Sequence, residues 1–148
     1  MSTSRILDMT AGWRALWFEV DDAVLVDRRL ECAPHVVADW KHLPFRDGSF
    51  DLVLFDPPHK GFPSGFMAES YGVCTLEQVL FDMLHGAREA RRVTRAGGLM
   101  VLKWATCALR LDRVLTHLPG WRPRFGQKTK TRPRPEDGTF WVLLERES

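Results

Sequence analysis

The fold is decided by one stretch in the middle of the chain, Leu52-Val53-Leu54-Phe55-Asp56-Pro57-Pro58-His59. Four consecutive apolar residues without polar alternation are typical of a strand in a parallel sheet that is covered on both faces. The two prolines that follow Asp56 have no backbone N–H donor and stiffen the chain. The stretch therefore predicts a buried parallel strand that carries a carboxylate into a rigid turn.

Other apolar runs on both sides of this strand have the same character. They occur at Ile6–Asp8, Ala23–Val26, His35–Ala38, Leu99–Leu102, Trp121–Phe125 and Thr139–Leu144. The second run ends at Asp27, so only seven residues, 28–34, come before the third run, which is too short for a crossover helix. The order predicts an α/β fold with a trimmed, doubly wound, mostly parallel sheet and a C-terminal antiparallel pair of strands.

Three helices are expected between these strands. The clearest begins at Thr75, where Thr75 and Gln78 can form a capping box and apolar residues then recur at helical spacing. Shorter helices are predicted over Trp13–Val20 and Leu111–Leu118. The large aromatic side chains of the first of these, Trp13, Trp17 and Phe18, are expected to be buried.

Length and composition fit one globular domain that spans residues 1–148. Of the 148 residues, 45% are hydrophobic and 27% are charged, which excludes wholesale disorder. The sequence has no run of about 20 apolar residues and no N-terminal signal stretch, so we expect a cytoplasmic protein with no membrane segment. The three cysteines form no CxxC pair and the histidines have no paired spacing, so neither a disulfide framework nor a metal site is predicted.

Charge is distributed unevenly along the chain, although the net charge is only +2. Residues 1–60 contain ten acids and seven bases, a net charge of −3, whereas residues 110–135 contain eight bases and one acid, a net charge of +7. A basic segment of this kind can steer and bind an anionic ligand such as nucleic acid. The alternative is a solvated polar segment without a ligand.

Acidic residues stand at or just after the ends of four predicted strands, at Asp8, Asp27, Asp39 and Asp56. In an open α/β sheet, ligands bind outside the carboxyl ends of the strands. Asp27 follows the first strand by about 20 residues, which is where a carboxylate accepts hydrogen bonds from two ribose hydroxyls. The pattern indicates a nucleoside-containing cofactor; the alternative is that each Asp is only a turn residue.

The first turn, Asp8-Met9-Thr10-Ala11-Gly12, restricts which cofactor is possible. It has a single glycine, and the chain contains neither the G-x-G-x-x-G signature of dinucleotide sites nor a P-loop. A nucleoside with a small zwitterionic tail suits it better than a pyrophosphate, and S-adenosylmethionine fits this description. We expect the ribose at Asp27 with Arg28 beside it, the amino acid end at the first turn, and the adenine between Asp39 and Trp40.

The Asp-Pro-Pro turn at residues 56–58 predicts where an acceptor is held. The carboxylate of Asp56 and the carbonyl oxygen of Pro57 can together accept both hydrogens of one amino group, which orients the nitrogen lone pair. Methyl transfer from a sulfonium depends mainly on such alignment. A planar side chain at His59 can stack on a base. The alternative is a stiff exit from the strand with an Asp cap.

Taken together, these motifs resemble those of class I S-adenosylmethionine-dependent methyltransferases. The quoted turn at 8–12, Asp27, Asp39-Trp40, the box at 56–59 and Gly97-Gly98 carry the resemblance. The box is similar to the Asp/Asn/Ser-Pro-Pro-Tyr/Phe/Trp box of amino-methyltransferases that act on adenine N6 or cytosine N4, and the chain resembles small phage-type enzymes of this kind. The resemblance implies a Rossmann-like fold and Asp56, Pro57, Pro58 and His59 as catalytic residues.

Two other interpretations stay open. Residues 43–51 also resemble a segment of small-molecule and lipid-quinone methyltransferases, which favours a small-molecule or protein acceptor. The third possibility is a non-catalytic binding module, because the family's aromatic residue is replaced by His59 and the first turn has few glycines.

Two segments are predicted to contact the substrate. The Gly-, Pro- and Phe-rich residues 59–74 are interpreted as a lid loop that presents Phe62 and Phe66. Lys128, Lys130 and Arg132 lie in residues 128–137, a polar segment predicted to be mobile and to bind a phosphate backbone. The chain has no room for a target-recognition domain, so sequence specificity would require a homodimer, an accessory recognition protein or a substrate that is already single-stranded.

Overall fold

The computed structural model describes residues 4–19, 23–58, 75–106, 109–131 and 138–148. Seven strands form one sheet in the order β3-β2-β1-β4-β5-β7-β6. The strands are β1 (Ile6–Asp8), β2 (Val24–Asp27), β3 (Val36–Val37), β4 (Phe50–Phe55), β5 (Thr94–Ala105), β6 (Trp121–Thr131) and β7 (Gly138–Arg146). The helices are α1 (Leu76–Val93) and α2 (Leu111–Leu115).

Strands β1 to β5 pair in parallel, and β7 runs antiparallel to both β5 and β6. The predicted fold class is confirmed: a mostly parallel α/β sheet with an antiparallel C-terminal pair. The short connection between β2 and β3 contains only a 3₁₀ turn at Leu30–Cys32, as its length required. None of the helices in the described residues has the length and apolar character needed to cross a bilayer.

The predicted helix over Trp13–Val20 is wrong, because residues 9–18 form turns and bends. Gly12 has φ 51° and Arg14 has φ 63°, values in the left-handed region that cannot continue a right-handed helix. Trp17 instead turns its indole N–H to the carboxylate of Asp8 at 2.8 Å. This connection of turns and bends follows the end of β1 and does not pack as a helix.

Helix α1 begins as its sequence predicts and covers one face of the sheet. Thr75 Oγ1 accepts a hydrogen bond from the backbone N–H of Gln78 at 3.1 Å, but the Gln78 side chain donates to Asp82, so only half of the capping box forms. A Cβ at Gly86 would lie 2.5 Å from the ring of Trp40 and 2.7 Å from that of Phe55. The glycine therefore lets the helix approach the sheet closely.

The two faces of the sheet are covered differently. Helices α1 and α2 pack on one face over a core that includes Val53, Phe55, Met100, Leu102, Trp104, Val142 and Leu144. The other face has a small cluster over β1 and β2, formed by Ala11, Ala23 and Leu25 with Trp17 packed against it. Over β5, β7 and β6 this second face belongs to neither cluster, and no helix of the described residues packs there. We call this area, which contains Val101, Lys103, Phe125, Gln127, Trp141 and Leu143, the open face.

Strand β6 forms one edge of the sheet. Its pairing with β7 shifts register between Pro123 and Phe125 and again between Lys128 and Lys130. Residues 122–127 are all exposed. The sequence places residues 128–131 between two strands, but they belong to β6 itself; the remainder of the segment predicted to be mobile, 132–137, lies outside the described residues.

Candidate cofactor and acceptor cleft

A cleft of about 340 Å³ opens at the carboxyl ends of β1, β2 and β4, beside the first turns of α1. Most of the predicted site residues line it. These are Met9, Thr10, Ala11, Gly12, Asp27, Arg28, Asp39, Trp40, Asp56, Pro57 and Pro58. The structure therefore brings together the first turn, the acid after β2, the acid after β3 and the Asp-Pro-Pro box.

Asp8 is the exception among the predicted cofactor residues. It is 1% exposed and does not line the cleft. Its carboxylate accepts hydrogen bonds from the indole of Trp17 at 2.8 Å and the backbone N–H of Thr10 at 3.1 Å. Burial raises the pKa of this carboxyl, and the two hydrogen bonds only partly oppose that effect. The expected cofactor contact is thus corrected: Asp8 braces the first turn from beneath.

The first turn is fixed to two strands, β4 and β2, and to the residue that follows β4. Met9 donates its backbone N–H to Leu54 at 3.1 Å, and Ala11 donates to Val26 at 2.9 Å. Thr10 Oγ1 accepts the backbone N–H of Asp56 at 2.7 Å. This last bond joins the turn predicted to hold the cofactor directly to the box predicted to hold the acceptor.

The carboxylate of Asp27 is surrounded by donors. Gly12 N–H reaches Oδ2 at 2.9 Å, and the backbone N–H of Arg29 reaches Oδ1 at 2.9 Å. The guanidinium of Arg29 adds Nε to Oδ1 at 3.0 Å and Nη2 to Oδ2 at 3.3 Å. Burial alone would raise the pKa of Asp27, but the hydrogen bonds from Arg29 outweigh it and lower the pKa. Four donors are about as many as a carboxylate can accept.

Asp56 has a cationic partner from a distant part of the chain. Lys103 Nζ lies 2.7 Å from Asp56 Oδ2. The contact follows from strand register, because Phe55 pairs with Leu102, and Asp56 and Lys103 are the residues that come next after this pair. The same Lys103 Nζ lies 5.7 Å from the centre of the Trp141 ring, a distance typical of a cation–π contact.

Trp40 and its neighbours form the opposite wall of the cleft. The Trp40 ring packs on Phe55 at 5.3 Å between centroids, so part of it belongs to the core. Lys41 Nζ lies 3.3 Å from Asp82 Oδ1 and 3.8 Å from Asp39 Oδ2. Asp39 also accepts the backbone N–H of Lys41 at 2.8 Å, as an Asp in a turn is expected to do. The wall is therefore held in place while one side of it faces the cleft.

Of the predicted substrate residues, the structure describes the side chain of Lys128, which does not reach the cleft. Lys128 and Lys130 are in β6, and Lys128 does not line the cleft; its Nζ lies 5.8 Å from the Phe140 ring. Strand β6 is three strands away from β4, or about 14 Å at the usual strand spacing. His59, Phe62, Phe66 and Arg132 lie outside the described residues.

Several cleft residues were missed by the sequence analysis. Among them are Trp13, Arg29, Lys41 and Asp82. Trp13 was expected to be buried but is 69% exposed, and Phe18 is exposed as well. The position of Trp13 directly after the Gly12 turn was the available signal. From the sequence, Lys103 could either reach the site or only extend to solvent; it lines the cleft, and its contact with Asp56 could be found only from the register of β4 and β5. Within the described residues, no three His, Cys, Asp or Glu side chains are arranged to hold a metal ion.

No protein-family model matches the sequence, and no curated protein matches it. Solved structures do match the fold. The N-methyltransferase NodS from Bradyrhizobium japonicum aligns with TM-score 0.67 and 12% identity over 98% of this chain and 86% of its own. An S-adenosylmethionine-dependent methyltransferase from Methanosarcina mazei aligns with TM-score 0.65 and 12% identity over 99% of this chain and 94% of its own.

The cyclase SpnF shares the fold too, with TM-score 0.65 and 14% identity over 97% of this chain and 74% of its own. The chain thus has the Rossmann-like fold of class I S-adenosylmethionine-dependent methyltransferases. Identities this low show the fold alone, and one fold can carry different reactions. The function must therefore be argued from the cleft.

Proposed function

We propose that the protein is an S-adenosylmethionine-dependent methyltransferase that methylates an exocyclic amino group, adenine N6 or cytosine N4, in DNA or RNA. One observation supports this most. A single cleft joins the acid after β2, the Asp39-Trp40 wall and the Asp56-Pro57-Pro58 box. Several structural neighbours are named as methyltransferases; one of them is named as an N-methyltransferase and another as a predicted O-methyltransferase.

The residues of the cleft fit the proposed cofactor. Its volume of about 340 Å³ lies in the range of small-molecule sites. Asp27 offers carboxylate oxygens at the position of a ribose, and Trp40, Val79 and Met83 offer apolar surface to an adenine. When bound, S-adenosylmethionine supplies a methyl group on a sulfonium that needs no further activation. For Asp27 to accept ribose hydroxyls, Arg29 has to release at least part of the carboxylate.

The residues at the acceptor side are suited to orient an amino group. Lys103 holds Oδ2 of Asp56, and Thr10 holds the backbone N–H of the same residue. The carboxylate and the Pro57 carbonyl oxygen can then accept hydrogen bonds from the two N–H groups of the acceptor, with the lone pair directed at the methyl group. In the transfer the nitrogen–carbon bond would form as the sulfur–carbon bond breaks, S-adenosylhomocysteine would leave, and the Asp56 carboxylate would take the proton that the nitrogen loses. Positioning of this kind is a large contribution to a transfer reaction.

A second candidate, a binding module without catalysis, is favoured by the saturation of Asp27 with four donors. The small-molecule alternative rested on residues 43–51, and none of these lines the cleft. That segment is tied to α1 instead, where Arg92 donates to the carbonyl oxygens of Leu43 at 2.9 Å and Phe45 at 2.7 Å.

The test is transfer of a labelled methyl group to DNA, RNA and small amines, followed by mass spectrometry of the nucleosides. We expect Asp56→Ala to lower transfer by at least about 100-fold while the Kd for S-adenosylmethionine barely changes. Asp27→Ala should raise that Kd. Asp112→Ala, an exposed acid in α2, serves as the control. Full activity in Asp56→Ala would refute the assigned chemistry.

Two other outcomes would replace the proposal. Transfer to small amines but not to DNA or RNA would assign a small-molecule acceptor. Calorimetry that detects no S-adenosylmethionine binding at millimolar concentration would favour the non-catalytic module.

A further inference from the structure

The open face begins next to the acceptor side of the cleft. Lys103 on β5, Trp141 on β7 and Gln127 on β6 stand opposite one another in register. Directly paired residues point to the same face of a sheet. Because Lys103 also contacts Asp56, this row leads from the Asp-Pro-Pro box across the sheet to its edge.

Two aromatic side chains lie on this face. Phe125 pairs with Leu143, two residues from Trp141 along β7, and the pairing is regular between them. Diagonal neighbours of this kind are about 7–8 Å apart. Phe125 is 70% exposed and Trp141 is partly exposed, and neither packs into a core cluster. Their rings are therefore accessible at a spacing that suits stacking of successive unpaired bases.

The border of this face is basic. The side chains of Arg122 and Arg124 are 56% and 47% exposed and share Glu145, at 3.5 Å and 3.4 Å. Ion pairs this exposed are weak, so the arginines can turn to another anion at little cost. Strand β6 contains four basic residues and no acidic one: Arg122, Arg124, Lys128 and Lys130.

We propose that the open face binds a single-stranded stretch of nucleic acid, with bases stacked on Trp141 and Phe125 and phosphates held by Arg122 and Arg124. Aromatic rings bind bases by stacking only where these are unpaired, which selects a single strand over a duplex. The strand then passes Lys103, and the neighbouring nucleotide reaches Asp56. This proposal rests on the proposed nucleic-acid acceptor and adds how that acceptor is presented.

Binding is measured by fluorescence anisotropy with labelled 12-nucleotide DNA and RNA, as single strands and as duplexes, without cofactor. Phe125→Ser should weaken single-strand binding by about tenfold, since stacking on one ring is lost. Phe81→Ser on α1 removes a ring that is also 54% exposed, but on the opposite side of the sheet, and should leave binding unchanged. In the double variant Arg122→Gln, Arg124→Gln, the slope of log Kd against the logarithm of the salt concentration should fall by about two, because two phosphate contacts are lost.

Trp141→Leu is the stronger variant, and its folding is checked by circular dichroism because the ring is partly buried. Phe125→Ser carries little risk to the fold and keeps the test decisive on its own. Unchanged single-strand binding in Phe125→Ser would overturn the proposal, and so would duplex binding as tight as single-strand binding. A dimer seen by light scattering that Phe125→Ser dissociates would assign the open face to a second copy of the chain instead.

Failure of this proposal is separable from failure of the proposed function. If Phe125→Ser still methylates a free nucleoside but no longer methylates an oligonucleotide, the result supports the open face as the binding site for the strand. If transfer stops in Asp56→Ala but continues normally on oligonucleotides in Phe125→Ser, the proposed reaction is supported and the proposed role of the open face is refuted.

Discussion

Two carboxylates at opposite ends of the cleft each face a basic side chain, but they are held in different ways. Asp27 is paired with Arg29, two residues later, and is 9% exposed with four donors on its two oxygens. Asp56 is paired with Lys103, 47 residues later. Among the described residues, the donor to the Asp56 carboxylate is the Lys103 ammonium group. Under the proposed function, Asp27 would have to be released from Arg29 before it binds a ribose, whereas Asp56 is already held in one orientation by Lys103.

Removal of Lys103 should have the largest effect of the three changes that test this difference. In Lys103→Ala the Asp56 carboxylate loses its 2.7 Å partner and its fixed orientation. We expect kcat to fall by about 100-fold with little change in the Kd for S-adenosylmethionine. Lys103→Arg should restore part of the rate, which steady-state kinetics can measure.

Lys41→Ala is the matched control, because Lys41 also lines the cleft but pairs with Asp82 and Asp39. A rate loss in Lys41→Ala equal to that in Lys103→Ala would show that any cleft lysine acts through charge alone. The distinction between the two ends of the cleft would then fail.

Removal of the Arg29 guanidinium tests the other end. If the cofactor needs the oxygens of Asp27, Arg29→Ala should bind S-adenosylmethionine about tenfold more tightly, a gain of about 1.4 kcal/mol. The same variant should be less stable by about 1 kcal/mol, because a charge-assisted hydrogen bond is lost. Calorimetry and urea denaturation measure the two quantities.

Arg29→Lys keeps the charge but not the two-pronged geometry, so its affinity should lie between those of the wild type and Arg29→Ala. Weaker binding in Arg29→Ala would show instead that the guanidinium contacts the cofactor. In that case the pair with Asp27 would be part of the binding site and not a competitor for it.

The smallest effect concerns pH and stability. The pKa of Asp27 in the folded protein is lowered by Arg29, so its stabilising contribution is complete above the ordinary Asp pKa of about 4 and is lost as the pH falls further. Asp27→Asn should therefore cost about 1 kcal/mol at pH 7 and much less at pH 3, as measured by urea denaturation.

The contribution of Asp8 to folding stability should depend on pH in the opposite direction. Burial raises its pKa in the folded protein, so its carboxyl favours the folded state at low pH and loses that advantage as the pH rises above the ordinary value. For Asp27→Asn, a loss of unfolding free energy that is the same at pH 3 and pH 7 would contradict the pairing of Asp27 with Arg29.

Much of the fold followed from local sequence. The apolar runs predicted the strands because consecutive apolar and β-branched residues favour a buried strand, and the seven residues 28–34 ruled out a helix between β2 and β3. The acids after β2, β3 and β4 reached the cleft because parallel strands end at the same edge. Thr75 marked the start of α1 through a local hydrogen bond.

The errors came from contacts that no local pattern contains. Asp8 stands at a strand end like the other acids, but Trp17 folds over it and excludes it from the cleft. Arg14 with φ 63° could not be foreseen from a residue type that usually favours helices. The contact of Lys103 with Asp56 could be predicted only from the register of β4 and β5, and the distance of β6 from the cleft only from the order of all seven strands.

Strand β6 has one more consequence, for behaviour in concentrated solution. An unpaired edge of 11 residues is a template on which other chains can add strands and aggregate. Pro123 lacks an N–H to offer, two register shifts break the straight edge, and the arginines repel an identical neighbour. The strand should therefore resist fibril growth while its side chains stay accessible. Replacing Pro123 and the two arginines with threonine should therefore increase aggregation, which light scattering measures.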